Sequence, residues 1–321
     1  MPRKIDISHR TIIFIALLAL SVWLLYIIRD LLILLFVAVI FTSALSPAVN
    51  IFVKLKLPRA LGIVITYIIV FAVVGGLLAS ILPPLIEQTG RLITTLPPLL
   101  VDKFNLTSVD RSIFQSELAN VSKSLYTLAL DLFTNFLMII FLVVLTFYLL
   151  LEKESLQERA ANLFIGRQTR VRNLFIKIEN KLGGWLRGQL LLTVIIGTAV
   201  YIGLVILNIP YALPLALFAG VLEVVPVIGP IVSALPAIGL AITISPVLAG
   251  GVAAMYFIVQ QLENHVVVPQ VMKRAVGLNP LMVILAIAVG GRLLGLAGGI
   301  LAVPITVVIQ IIVADFLREH K

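Results

Sequence analysis

Residues 211–262 read YALPLALFAGVLEVVPVIGPIVSALPAIGLAITISPVLAGGVAAMYFIVQQL, and Glu223 is their only charged side chain. Residues 275–314 read AVGLNPLMVILAIAVGGRLLGLAGGILAVPITVVIQIIVA, with Arg292 as the only charge. Each run far exceeds the roughly 20 apolar residues that carry one helix across a bilayer. Each is also interrupted: the first by Pro214, Pro226, Gly229-Pro230, Pro236 and Pro246, the second by Gly290-Gly291, Gly295, Gly298-Gly299 and Pro304. A broken helix frees backbone groups, which membranes tolerate only where protein or a polar cavity satisfies them. Paired interruptions of this kind point to a transport site. A lone charge at membrane depth costs several kcal/mol and needs a partner or a watered path. Glu223 and Arg292 are therefore expected to lie close together, as a fixed ion pair or as a carrier of protons or cations.

Working outward, composition assigns the class. The chain has 321 residues, 61% hydrophobic and 12% charged, with mean hydropathy +1.16. Soluble domains are nearer half apolar and a quarter charged. The reading is an all-α, polytopic integral membrane protein of about eight transmembrane helices, with broken or re-entrant hairpins in the C-terminal third. Net charge is +9, but the basic residues stand in short blocks between apolar tracts. That pattern is positive-inside topology rather than a nucleic-acid surface. Cysteine is absent, so disulfide and thiolate chemistry are excluded.

The shorter tracts are 11–28, 31–53, 60–82, 132–151 and 190–207. The first follows Arg3, Lys4 and Arg10, lacks a small-residue cleavage site and reads as a membrane helix. Five divisions follow: three helices in 1–82, an extracytoplasmic helical segment in 83–131, and a helix in 132–151. A cytoplasmic basic amphipathic segment covers 152–189, and a transport core covers 190–321. Segment 152–189 carries eight basic residues against four acids, whereas 83–131 is balanced. The bias places both termini and 152–189 on the cytoplasmic side. In 83–131, Ile113, Leu118, Val121, Leu125 and Leu128 recur at helical spacing.

The two long runs share a pattern. Glu223 precedes Gly229-Pro230 and a closing Pro236 as Arg292 precedes Gly298-Gly299 and Pro304. If 212–244 dips in from outside and 280–314 dips in from inside, they form an inverted pair of hairpins. Pro226, Gly229, Pro230, Gly298, Gly299 and Pro304 then shape the breaks and the substrate path. Gln260, Gln261, Glu263 and Asn264 form the densest polar cluster, either a solute-binding face or a polar helix end. His9, His265 and His320 have no ligand spacing, so no metal site is expected. No nucleotide-binding loop, catalytic triad or H-E-x-x-H motif occurs, so no enzyme and no cofactor is expected.

The run Glu223-Val-Val-Pro226-Val-Ile-Gly229-Pro230 resembles the E-x-x-P-x-x-G-P signature of the autoinducer-2 exporter family of bacterial membrane transporters. Gly188-Gln189, Gln261, Asn264, Pro269, Gly290, Leu294-Gly295, Gly298-Gly299 and Ala302-Val303-Pro304 fit as well. The resemblance implies a secondary transporter that forms homo-oligomers and exports a small quorum-sensing signal, autoinducer-2. It equally accommodates exchange of a monovalent cation for a proton, an antiporter, and the residues leave both open. A non-transporting membrane scaffold is the third reading. Lipid, solute, monovalent cation and proton are the expected partners, and nucleic acid is not.

Overall fold

The computed structural model describes residues 9–104, 136–226, 228–272, 277 and 279–319. Among them every regular element is helical, and the protein is a polytopic membrane protein. Helices α1 (His9–Ile27), α2 (Arg29–Lys54) and α3 (Arg59–Phe104) open the chain. Helix α4 (Phe136–Leu151) bends by 71° into the polar α5 (Lys153–Asn162). Next come α6 (Gln168–Ile206), α7 (Ala212–Leu222), α8 (Ile228–Ile244) and α9 (Pro246–Leu262). A π-helical turn (Glu263–Val267) runs without a break into α10 (Val268–Met272), and α11 (Pro280–Glu319) closes the fold.

Among the described residues, four helices can cross a bilayer by length and composition, five if the bent α4–α5 pair counts as one span. Shorter apolar helices, Ile13–Ile27, Ala212–Leu222 and Ile228–Ile244, accompany them, two of the three in the C-terminal third. Helices α7 and α8 have 11 and 17 residues, about 16 and 25 Å, against a hydrocarbon core of about 30 Å. The 37-residue apolar stretch Leu281–Leu317 counts as a span only if its break is ignored. At Gly295 the backbone leaves the helix for φ 61°, ψ −143°, a region open mainly to glycine. Gly290 and Gly298 would stand about 12 Å apart in a straight helix. Instead, a Cβ on either would collide with the other's carbonyl. The chain has doubled back, and 280–319 is a hairpin.

Two helices run across the divisions drawn from the sequence. Helix α3 does not stop at Leu82 but runs through Pro83-Pro84 and Pro97-Pro98 to Phe104, about 70 Å in all. The remainder of the segment, including Ile113, Leu118, Val121, Leu125 and Leu128, lies outside the described residues. Helix α6 joins the basic block to the following apolar tract without interruption.

Packing forms three clusters. The largest joins the C-terminal half of α6 to α7, α8 and α9 through Ile196, Val200, Leu215, Ala216, Leu240 and Val252. A second joins α2, α6 and α11 around Ile40, Leu182, Trp185 and Leu301. A third holds Val49, Ile63 and Leu150 between α2, α3 and α4. Helix α6 belongs to two of them and is the mast of the fold. It reaches α2 at one close crossing, where Gly183 sits on the Ser43 backbone and Arg187 donates to the carbonyls of Ser43 and Ala44. A methyl at Gly183 would strike Ser43 O, so only glycine permits this approach.

Candidate functional site

The site is assembled at one end of the α6–α9 bundle. Gly220 of α7 lies on Thr193 O and Gly197 of α6, which seats α7 against α6. Glu223 caps α7 at its C-terminal end, where Pro226 and Pro230 cannot supply backbone N–H groups to prolong the helix. Tight turns replace it: Val225 N–H donates to Leu222 O and Gly229 N–H to Val225 O. Gly229 then passes so close to Leu222 O that no side chain fits there. Helix α9, capped at Ser245 and started by Pro246, runs back beside α8, with Tyr256 OH donating to Ser233 O at 3.4 Å. One further stretch of α9 and the first residue of the π turn bring Glu263 to Glu223.

The two carboxyl groups lie within hydrogen-bonding contact of one another. Both residues are buried, Glu223 at 2% exposure and Glu263 at 5%. Gln260 Nε2 donates to Glu263 Oε2 at 3.2 Å, and Gln189 Nε2 of α6 donates to the Glu223 backbone carbonyl at 2.9 Å. With both groups written as carboxylates, Oε2 of Glu223 has no donor. A direct bond between two carboxyls forms only when one keeps its proton, since a carboxylate solely accepts. With both ionised, two negative charges face each other in a buried pocket, and a cation is what balances them. Thr193 Oγ1, one turn beyond Gln189 on α6, is likewise buried without a partner among the described residues.

The remaining sequence-predicted residues separate. Arg292 does not meet Glu223. It is exposed on the α11 hairpin and, among the described residues, makes no ion pair or hydrogen bond. The acid, not the arginine, is the neighbour of Glu223. Pro226, Gly229 and Pro230 form the α7–α8 break, while Gly298 forms the α11 crossing and Pro304 is buried beyond it. Gly299 has open space around it. The polar cluster divides: Gln260 and Glu263 turn inward, Gln261 and Asn264 outward. His265 Nδ1 stands 2.9 Å from Gln261 O. No group of three metal-ligating side chains occurs among the described residues.

The Glu223–Glu263 pairing escaped sequence reasoning because the partners are 40 positions apart. A signal was present: between Glu179 and Asp315 these are the only two acids in the chain. Gln189 was visible only as part of a motif, at the head of an apolar tract.

Known proteins share this sequence over most of its length. The transport protein by name YrrI of Bacillus subtilis (strain 168) is 30% identical over 286 residues, covering 82% of this chain and 81% of YrrI. YueF of the same strain is 26% identical over 302 residues, covering 86% of this chain and 81% of its own. The AI-2 transport protein TqsA of Escherichia coli (strain K12) is 26% identical over 294 residues, covering 86% and 82%. The profile of the AI-2E family transporter matches residues 12–318, so the chain belongs to the AI-2E family of membrane transporters.

Proposed function

We propose that this protein is a secondary transporter of the bacterial inner membrane that exports a small polar organic solute, autoinducer-2 being the first candidate, at the expense of an ion gradient. The observation that carries the reading is the buried Glu223–Glu263 pair at a helix break. Intramembrane ionisable groups mark ion pathways, and broken helices at the packing centre mark transport sites. In this reading the pair holds one proton in one state and releases it in the other. The α7–α8 and α11 hairpins are the elements that move. Arg292, exposed within an apolar hairpin, faces the watered solute path and meets a polar or anionic group there. Pro226, Gly229, Pro230, Gly298, Gly299 and Pro304 give the breaks, and Gln260, Gln261 and Asn264 border the path. Both termini and the basic α5–α6 region face the cytoplasm. Self-association, which the family resemblance implies, buries part of the exposed apolar flanks of α1 and α3.

The same pair favours a second reading, monovalent cation/proton antiport, because two ionised carboxylates form a site for a small cation. Counterflow separates the two. Purified protein in liposomes preloaded with autoinducer-2 is given labelled autoinducer-2 outside. Saturable exchange, lost in Glu223→Gln, supports solute export. No exchange by folded wild type, with Na⁺ or Li⁺ flux that acidifies or alkalinises the lumen, moves antiport to the front. Neither flux in folded wild type favours the scaffold.

A further inference from the structure

We infer that the α5–α6 loop, Leu163-Phe164-Ile165, is a wedge that inserts into the headgroup layer of an anionic lipid surface and anchors the α6 mast there. The three side chains are 81%, 52% and 91% exposed, side by side at a loop tip. The loop is ordered rather than frayed. Phe164 N–H donates to Ala161 O, Arg167 N–H to Phe164 O, and Gly166 takes φ 81°, which closes the turn. Three consecutive large apolar side chains at an exposed, hydrogen-bonded tip have no packing role among the described residues.

Two features set the depth of the tip. Helix α5 leaves α4 at 71°, so with α4 along the bilayer normal α5 runs about 20° from the membrane plane. On the other side of the loop, Arg170 Nε donates to Asp315 Oδ2 at 2.8 Å and Arg170 Nη2 to Asp315 O at 2.7 Å. Asp315 ends the uncharged stretch 293–314 of α11, and Leu317 two residues on is still exposed and apolar. The loop is thus held where an apolar helix leaves the hydrocarbon.

Charge chooses the lipid. Arg159, Arg167 and Arg172 flank the tip and are exposed, with Glu158 the one acid beside them. A cationic rim around an apolar tip is the combination that binds anionic interfaces, the apolar part entering the acyl boundary and the arginines pairing with phosphates. The inference does not depend on what is transported.

The natural lack of cysteine makes the test direct. Full-length Phe164→Cys, labelled with an environment-sensitive fluorophore, is reconstituted in phosphatidylcholine vesicles with and without phosphatidylglycerol. Ile165→Cys is run in parallel, with Glu158→Cys as a water-facing reference. The wedge predicts blue-shifted emission at 164 and 165, quenching by spin-labelled lipid, and shelter from iodide, all stronger with phosphatidylglycerol. Glu158→Cys should stay water-like. Adding Arg159→Gln and Arg172→Gln should remove the dependence on anionic lipid. Water-like, iodide-quenched emission at 164 and 165 in both vesicles overturns the inference. So does shelter from both quenchers, which means that a second copy covers the tip, and so does an anionic-lipid response indifferent to the arginines.

Discussion

Glu223 illustrates how one side chain organises its surroundings. Its backbone carbonyl is freed by the end of α7 and would stand unpaired in the interior. Gln189 answers it from α6. Its carboxyl meets that of Glu263, so the same residue carries a packing contact and the proposed proton site. Replacing Gln189 with Leu leaves that carbonyl without a donor, a cost of about 1–3 kcal/mol for a buried polar group. A lowered melting temperature of detergent-solubilised Gln189→Leu, restored by Gln189→Asn only if the shorter amide still reaches, is the expected outcome. An unchanged melting temperature contradicts the bond's importance. At this scale the sequence was partly legible. A lone acid in an apolar run is visible to anyone counting charges, but its partner is set by bundle geometry. Opposite charge suggested Arg292, whereas the α8–α9 antiparallel packing delivers Glu263.

The elements carry the lesson about breaks. Proline and glycine clusters located the α7–α8 break and the α11 turn correctly, because each removes a donor or permits a backbone that helices exclude. At Pro83-Pro84 and Pro97-Pro98, by contrast, α3 continues. Glycines in the C-terminal hairpin divide by surroundings in a way composition does not reveal. Gly298→Ala places a methyl against Gly290 O, whereas Gly299→Ala meets open space. Loss of folded, monodisperse yield for Gly298→Ala with near-normal yield for Gly299→Ala is expected on size-exclusion chromatography. Equal behaviour of the two variants argues against the hairpin crossing.

The whole molecule hangs on α6. Ion pairs fasten its first half to other elements: Lys153 Nζ to Glu179 Oε2 at 2.8 Å and Arg170 to Asp315, while Arg59 ties α3 to Glu154 of α5 at 2.6 Å. Composition disclosed the class, and the charge blocks carry the proposed orientation. The path of α6 across the boundary between basic block and apolar tract was hidden, because charge statistics mark the membrane surface and not the end of a helix. The proposed orientation places Ser245 outside and Asn279 inside. Single cysteines there should react with impermeant maleimide only from outside and only after permeabilisation, respectively. The reverse pattern inverts the orientation, and outside reactivity at both sites breaks the inverted-hairpin layout.

In the proposed mechanism the Glu223–Glu263 pair couples transport to protons, which gradient-driven flux reads out. Proteoliposomes holding wild type, Glu223→Gln or Glu263→Gln are loaded with autoinducer-2, placed under an imposed pH gradient, and followed for solute and lumenal pH together. The account predicts that wild type moves solute against its gradient with a matching proton flux. Either glutamine variant, folded and of similar size, should lose at least about tenfold in driven flux, the equivalent of roughly 1.4 kcal/mol. Full gradient-driven transport with proton flux in both variants would contradict it.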